Sequence, residues 1–314
     1  MKLASGVYLL AILCAGCASV RPENLISADK IRNDIAFLSD DRFQGRSCRS
    51  DEARQVAAYL ADRFKAAGLV PVAGGDGYFH AVQDAKMAPN VVGMRRGRGG
   101  DYVIVSAHYD HLPPKKQGDD RIYNGADDNA SGVAAVLAIA DALHRGRVKC
   151  DASIVFIAFT GEEAGLRGSR FMAGQPPFSL ARVRGMFNMD MISRGEDDLI
   201  FVDGGKDADA LRNILRKENA RGKIGLRIHF DEHPDWLMRS DQGPFIYRRV
   251  PAVLFSVEDH PDYHQVTDEV TRILPQLAQR VTKLVLLAAV DLANTAPAST
   301  QPSRPAAKGD AAGG

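Results

Sequence analysis

The chain has 314 residues, 45% of them hydrophobic and 25% charged, with a formal net charge of +1. That is enough apolar material for one large domain with a real core, or at most two small ones. Basic and acidic residues nearly balance, so no net field draws the chain to nucleic acid or to an anionic membrane surface, and neither is expected as a partner.

Residues 1–20 read as an export signal rather than as part of the fold. Lys2 supplies a positive start, and the apolar run around Val7 to Leu13 is too short to cross a bilayer as a helix. Cys14-Ala15-Gly16-Cys17-Ala18-Ser19 resembles a bacterial lipobox, with Cys17 as the residue that would be lipidated and become the mature N-terminus, although Cys14 stands where such boxes carry Leu. The alternative is an ordinary secretory signal. The expected location is the bacterial periplasm or outer membrane as a lipoprotein, or the secreted fraction, with membrane contact only through Cys17. Cys48 and Cys150 remain in the mature chain, and an oxidising compartment would allow them to pair. No spacing resembles a cysteine zinc site.

Downstream, helical spacing predicts a helix over 27–38, capped by Ser27 or Asp29, and a second over 51–67 with Val56, Leu60 and Phe64 on one face and Gly68 as the stop. The polar stretch 40–50 between them reads as a loop. Residues 91–94 and 102–107 read as strands joined through the Arg-Gly stretch 95–100 as a hairpin turn. An apolar helix follows over 132–143, then strands at 152–159, 186–189, 199–202, 226–230 and 253–257, with helices at 212–218 and 271–292. Strands apolar on both faces imply a sheet covered on both sides, so the fold class is α/β with a mixed, largely parallel central sheet and helices on both faces. The domain spans 21–294 without an inserted second domain, and 295–314 is an Ala/Pro-rich tail expected to be disordered. No internal repeat is visible.

Several candidate ligands follow the predicted strands, and in open α/β sheets ligand sites lie outside the carboxyl ends of strands. His108 ends the 102–107 strand, with Asp110 two residues on and His111 beyond it; only His108 is taken as a ligand. Asp127 and Asp128 lie in NGADDNASG before the apolar helix, a pattern that fits either a helix cap or a carboxylate bridging two cations, with Gly125 and Gly132 allowing close backbone packing. Glu162 and Glu163 follow the strand ending FIAF, where one acid can ligate while its neighbour faces an attacking water. Asp190 sits in the apolar run MFNMDMIS, where a lone carboxylate is costly unless paired or metal-bound. His264 follows the acidic loop EDHPD, in which His260 competes for the same role. Imidazole and carboxylate groups in this number point to metal-assisted hydrolysis with a carboxylate base.

Taken together, AHYDHL, NGADDNASG, FTGEEAGLRGS, FNMDMI and SDQGPFIYRRVPAVLF followed by YHQVTDE resemble the M28 zinc peptidases, the co-catalytic dizinc aminopeptidases, over about residues 38–292. The lead-in FLSDDRFQGR also looks like theirs. The resemblance implies a zinc-dependent exopeptidase fold and two Zn²⁺ per chain. One zinc would be held by His108, Asp128 and Asp190, the other by Asp128, Glu163 and His264. Asp128 rather than Asp127 would bridge, with a non-proline cis peptide after it. Glu162 would be the general base acting on a metal-bound hydroxide, Asp110 would orient His108, and Tyr263 would face the developing oxyanion. Gln242 departs from the pattern, which often has His after Ser-Asp. The implied activity is hydrolysis of the N-terminal bond of peptide substrates. Alternatives on the same scaffold are a glutaminyl-cyclase-like acyltransferase, a carboxypeptidase or amidase, and a non-enzymatic binding module; the full ligand set and Glu162 speak against the first and the last. Residues 221–239, with Trp236, are candidates for the substrate pocket, although a lone Trp also fits simple packing.

Overall fold

The computed structural model describes residues 21–72 and 77–296. The expected export signal and nearly all of the expected tail lie outside the described residues. Nine strands form one sheet: β1 (Val70–Pro71), β2 (Phe79–His80), β3 (Asn90–Arg95), β4 (Tyr102–His108), β5 (Ser153–Phe159), β6 (Val183–Met189), β7 (Leu199–Gly204), β8 (Arg227–Phe230) and β9 (Ala252–Ser256). Their order is β1-β3-β5-β4-β6-β9-β7-β8, with β2 also paired to β3. The centre, β5-β4-β6-β9, is parallel throughout. On its flanks β3 runs antiparallel to β5 and β7 antiparallel to β9.

The helices are α1 (Ala28–Leu38), α2 (Asp51–Ala66), α3 (Gly132–Arg145), α4 (Arg167–Gly174), α5 (Asp209–Arg221), α6 (Gln242–Tyr247) and α7 (Pro275–Asn294). Ser27 caps α1 by accepting the Lys30 N–H, and Ser50 caps α2 by accepting that of Ala53. Ile31, Ile35 and Leu38 are buried on α1, and Val56, Leu60 and Phe64 on α2, at the spacing one helix face requires. Among the described residues no helix is long and apolar enough to cross a membrane.

Alternation along the central strands divides the core in two. Val103, Val105, Ala107, Ile154, Phe156 and Ala158 face the larger core, shared with α1, α2, α3 and α7. Ile104, Val155, Ile157 and Phe159 face a smaller one that takes in Met172 of α4 and Phe245 of α6. Both faces of the sheet are thus covered.

The expected hairpin between β3 and β4 does not form, because β5 lies between them: Val92 pairs with Ile157 and Val105 with Phe156. All seven residues of β5 are buried, and such a strand takes a central place. The Arg-Gly stretch instead arches over the start of β5, where the Gly97 N–H donates to Ser153 Oγ and the Gly99 N–H to the Asp151 carbonyl. Nor do Cys48 and Cys150 pair. Both are free and buried, Cys48 beside Val82 and Met87 and Cys150 in the larger core. Residues 41–46, expected as loop, wind into short 3-10 turns, and α7 begins only at Pro275.

Candidate metal centre

The carboxyl ends of β4, β5, β6 and β9 point to one rim, and the loops leaving them carry the predicted site residues. His108 is the last residue of β4, Glu162 and Glu163 follow β5, Asp190 follows β6, and His264 lies in the loop after β9. Asp128 arrives from the turn before α3.

That turn is held from several sides. Both oxygens of the Asp268 carboxylate accept the Asp127 N–H, and Oδ2 also accepts that of Asp128, at 3.0–3.1 Å. The Asn129 side chain donates to the Met189 carbonyl and accepts the Gly132 N–H, tying the turn to the end of β6. Gly125 has φ +57°, and a Cβ there would lie 2.1 Å from the Asp128 carbonyl oxygen. At Gly132 a Cβ would lie 2.4 Å from Met189 O. Side chains are therefore excluded at both glycines. The Asp128-Asn129 peptide is cis. Arg46, only 1% exposed, donates to the carbonyls of Leu38, Tyr109, Asn124 and Gly125 at 2.6–3.1 Å, locking the N-terminal turns to the loops carrying His108 and Asp128.

Around Asp128 the donor atoms fall into two sets. His108 Nε2 lies 3.4 Å from Asp128 Oδ1 and 3.1 Å from Asp190 Oδ1. His264 Nε2 lies 3.2 Å from Asp128 Oδ2 and 3.2 Å from Glu163 Oε2. A tetrahedral zinc with bonds of ~2.0–2.2 Å separates its ligands by roughly 3.3–3.6 Å. The two oxygens of Asp128 thus serve two imidazole–carboxylate sets whose spacings lie close to what two such ions require. A third imidazole is close by: His111 Nδ1 is 2.7 Å from Glu163 Oε1 and 3.6 Å from Asp128 Oδ2. His111, Asp128 and Glu163 are mutually near enough to bind a cation, as are His108, Asp128 and Asp190. The 2.7 Å contact, however, is well short of that ligand–ligand edge, whereas His264 stands close to it at 3.2 Å from both carboxylates, so His264 is the better partner for the second set. His260 is placed elsewhere, its Nε2 3.3 Å from Asp127 Oδ2, beneath the turn. Asp127 is occupied with the N–H and hydroxyl of Ser193.

The electrostatics show how much positive charge this cluster calls for. Burial alone would lower the His264 pKa, but hydrogen bonds to Asp128 and Glu163 outweigh it and raise the ring to about 10. His108 is likewise raised well above its ordinary value against the effect of burial, chiefly by Asp190 and Glu162. Burial pushes Glu163 up, yet His111 and His264 hold it well below the usual carboxylate range. Buried carboxylates in this number are stable only beside cations.

Glu162 differs from its neighbour. Burial raises its carboxyl well above the ordinary range, and it lines the open cleft beside His108, Asp190 and Tyr263. Its backbone N–H donates to Asp110 Oδ1 at 3.1 Å. Asp110 accordingly works in a different way from the one expected. His108 Nδ1 bonds the Asp110 main-chain carbonyl at 3.0 Å, while the carboxylate stands 3.9 Å away and is engaged by Glu162. Tyr263 stacks on His264 at 3.9 Å, and burial raises its phenol well above the usual value, so it stays a donor. Trp236 both packs and lines: it is buried against Phe201 and Leu254 and forms one wall of the cleft, with Arg239 and Asp259 near it. Gln242 accepts from Asn188 on β6 and donates to the Trp236 carbonyl, fixing that wall. The residues not anticipated, namely Arg46, His111, Asn129 and Asp268, act on backbone or on other site residues.

The peptidase family M28 model matches residues 90–289. The chain belongs to peptidase family M28. It is 34% identical over 203 residues to a probable zinc metalloprotease of Pyricularia oryzae, covering 57% of this chain and 39% of that protein. It is 30% identical over 173 residues to leucine aminopeptidase 1 of Arthroderma otae, covering 53% of this chain and 45% of the relative. The chain thus spans less than half the length of these two curated relatives. In fold it is similar to the LapA aminopeptidase of Legionella pneumophila, with a TM-score of 0.72 at 20% identity over 87% of this chain and 74% of that one.

Proposed function

We propose that this M28 protein is a zinc-dependent exopeptidase, an aminopeptidase that removes N-terminal residues from peptides and holds two zinc ions per chain. The observation that carries the reading is Asp128, whose two oxygens each face a separate imidazole–carboxylate set at 3.2–3.4 Å. His108, Asp128 and Asp190 would hold one zinc, and Asp128, Glu163 and His264 the other. Bound there, zinc supplies Lewis acidity that polarises the scissile carbonyl and acidifies the attacking water.

The chain's own groups do the rest. Glu162 takes a proton from the attacking water and returns it to the departing amine, a role suited to a carboxyl whose proton affinity burial has raised. Asp110 fixes His108 through its carbonyl and the Glu162 loop through its carboxylate. The Tyr263 phenol donates to the oxyanion as the carbonyl becomes tetrahedral. Trp236 and Leu254 offer an apolar wall to the substrate side chain, and Asp190 and Asp259 present carboxylates to its free amine.

Export belongs to the same proposal: the signal would be removed at Cys17, which would carry the lipid. Intact-mass measurement of the membrane-extracted protein reads the lipid directly.

The test of the enzymatic reading is a panel of aminoacyl-p-nitroanilides against their N-acetylated counterparts, with zinc counted in parallel. Cleavage of the free-amine set alone, abolished in Glu162→Gln with zinc retained, is the expected result. Two zinc ions with neither set cleaved would leave the metal centre and sink the aminopeptidase reading.

A further inference from the structure

His111 stands one residue past the His108/Asp110 pair and takes no part in the ligand sets above, yet it is 1% exposed at the centre of the site. Its Nδ1 is 2.7 Å from Glu163 Oε1, its Nε2 is buried without a partner, and its ring meets Tyr123 edge-on at 6.3 Å. Gly125 makes room for it, since a Cβ at that position would lie 2.6 Å from His111 Cδ2.

The two ring nitrogens settle where the proton sits. A buried N–H without an acceptor costs more than a bare lone pair, because orphan donors are rarer in folded proteins than under-satisfied acceptors. The proton therefore belongs on Nδ1, where Glu163 accepts it, and Nε2 is the bare nitrogen. A Nδ1 that carries a proton does not ligate. Its 2.7 Å approach to Glu163 is shorter than a ligand–ligand edge and fits a donor.

We infer that His111 is a positioning residue for the second metal: its Nδ1–H occupies Oε1 of Glu163 and leaves Oε2 as the single oxygen turned toward Asp128 and His264. Glu163 Oε2, the oxygen that His111 Nδ1 does not engage, lies 3.2 Å from His264 Nε2. Without the donor, the Glu163 carboxylate is free to rotate about its last bond and the second set loses its preformed spacing. Partners of this kind, acting on a ligand from behind, typically change metal affinity by about 10–100-fold. The inference rests on the two-zinc reading above.

The experiment strips the purified full-length protein with a chelator and titrates Zn²⁺ against a chromophoric competitor, resolving a tighter and a weaker site. The variants are His111→Asn, His111→Gln and His111→Leu. Asn carries an amide N–H near the place of Nδ1, whereas Gln carries it one bond further out. Expected are two sites in every variant, with one of them reduced about 10–100-fold in His111→Leu and His111→Gln and kept within about threefold of wild type in His111→Asn. If His111→Leu does not fold, the Asn–Gln contrast carries the test, because a role confined to packing would favour the bulkier Gln, which is closer in size to His, and so reverse the expected order. Equal affinities across all variants overturn the inference. So does the loss of one whole equivalent of zinc in His111→Asn, which would make His111 a ligand. Wild-type protein that binds fewer than two zinc ions would overturn the two-metal reading itself, and this inference with it.

Discussion

Replacing Arg46 tests how the N-terminal turns support the site. Its guanidinium makes four hydrogen bonds to buried main-chain carbonyls. Hydrogen bonds from charged donors contribute about 1.5–3 kcal/mol each, so losing all four costs about 6–12 kcal/mol. Against this stands the cost of burying the charge. Burial lowers the Arg46 pKa to about 10, and at 1.36 kcal/mol per unit below the ordinary arginine value an apolar residue would recover about 3 kcal/mol. The carboxylates of Asp128, Asp268, Asp110 and Glu163 already offset part of that penalty. The net expectation for Arg46→Leu is therefore a loss of about 3–9 kcal/mol, toward the lower end if water enters to satisfy the carbonyls. That is a large share of the 5–15 kcal/mol available to an ordinary domain. Arg46→Lys keeps the charge but not the planar fork, and falls between wild type and Leu. Urea unfolding followed by circular dichroism measures both. A Leu variant within about 1 kcal/mol of wild type would refute the reasoning, because the four carbonyls would then not depend on the guanidinium.

Other substitutions probe the parts separately. Asp268→Asn, in which an amide replaces one of the two oxygens that accept from the 127–128 backbone, lowers zinc affinity while leaving the melting temperature of the metal-free protein within a few degrees; isothermal titration and calorimetric scanning read the two effects. Gly125→Ala forces a side chain onto the Asp128 carbonyl at φ +57° and reduces both stability and zinc uptake. Asp241 is fully buried, and burial raises its carboxyl to about 7. A carboxyl raised on folding stays protonated while the unfolded chain ionises, so it costs stability as pH rises from about 4 to 7. Asp241→Asn should accordingly stabilise the metal-free protein more at pH 8 than at pH 5, and pH-dependent urea midpoints without that difference would contradict the assignment. With Cys48 and Cys150 buried and free, the wild-type protein should melt at the same temperature with and without reductant, and a lower melting temperature in reductant would contradict their being unpaired.

The central sheet was legible because its strands are short apolar runs ending at chemistry-bearing residues. The run 153–159 announces a buried strand by composition alone. Its place between β3 and β4 could not be read, because two adjacent strands joined by an Arg-Gly stretch look the same whether or not a third inserts between them. The two-residue strands β1 and β2 and the short helices α4 and α6 carry too few periods to register. In the site, spacing to strand ends picked out His108, Glu162, Glu163 and Asp190. It left out His111, because a histidine one residue past a His-x-Asp pair carries no signal until the loop's turn brings it back onto Glu163. The residues that hold the Asp128 turn escaped for a related reason. Arg46 and Asp268 act mainly on main-chain carbonyls and N–H groups, and backbone partners leave no mark in the side-chain pattern. Asp110 does lie beside His108, but the atom that reaches the ring is its carbonyl, which a side-chain pattern does not reveal. Cys48 and Cys150 suggested a pair only because they remained, and their environments in separate clusters have no sequence counterpart.

Diffraction from zinc-loaded crystals, with data on both sides of the zinc absorption edge, is the most direct test of the account. Two anomalous peaks are expected, one bounded by His108, Asp128 and Asp190 and the other by Asp128, Glu163 and His264, with His111 Nδ1 still bonded to Glu163. A single peak, or a second one that His111 ligates while His264 stands free, would contradict it.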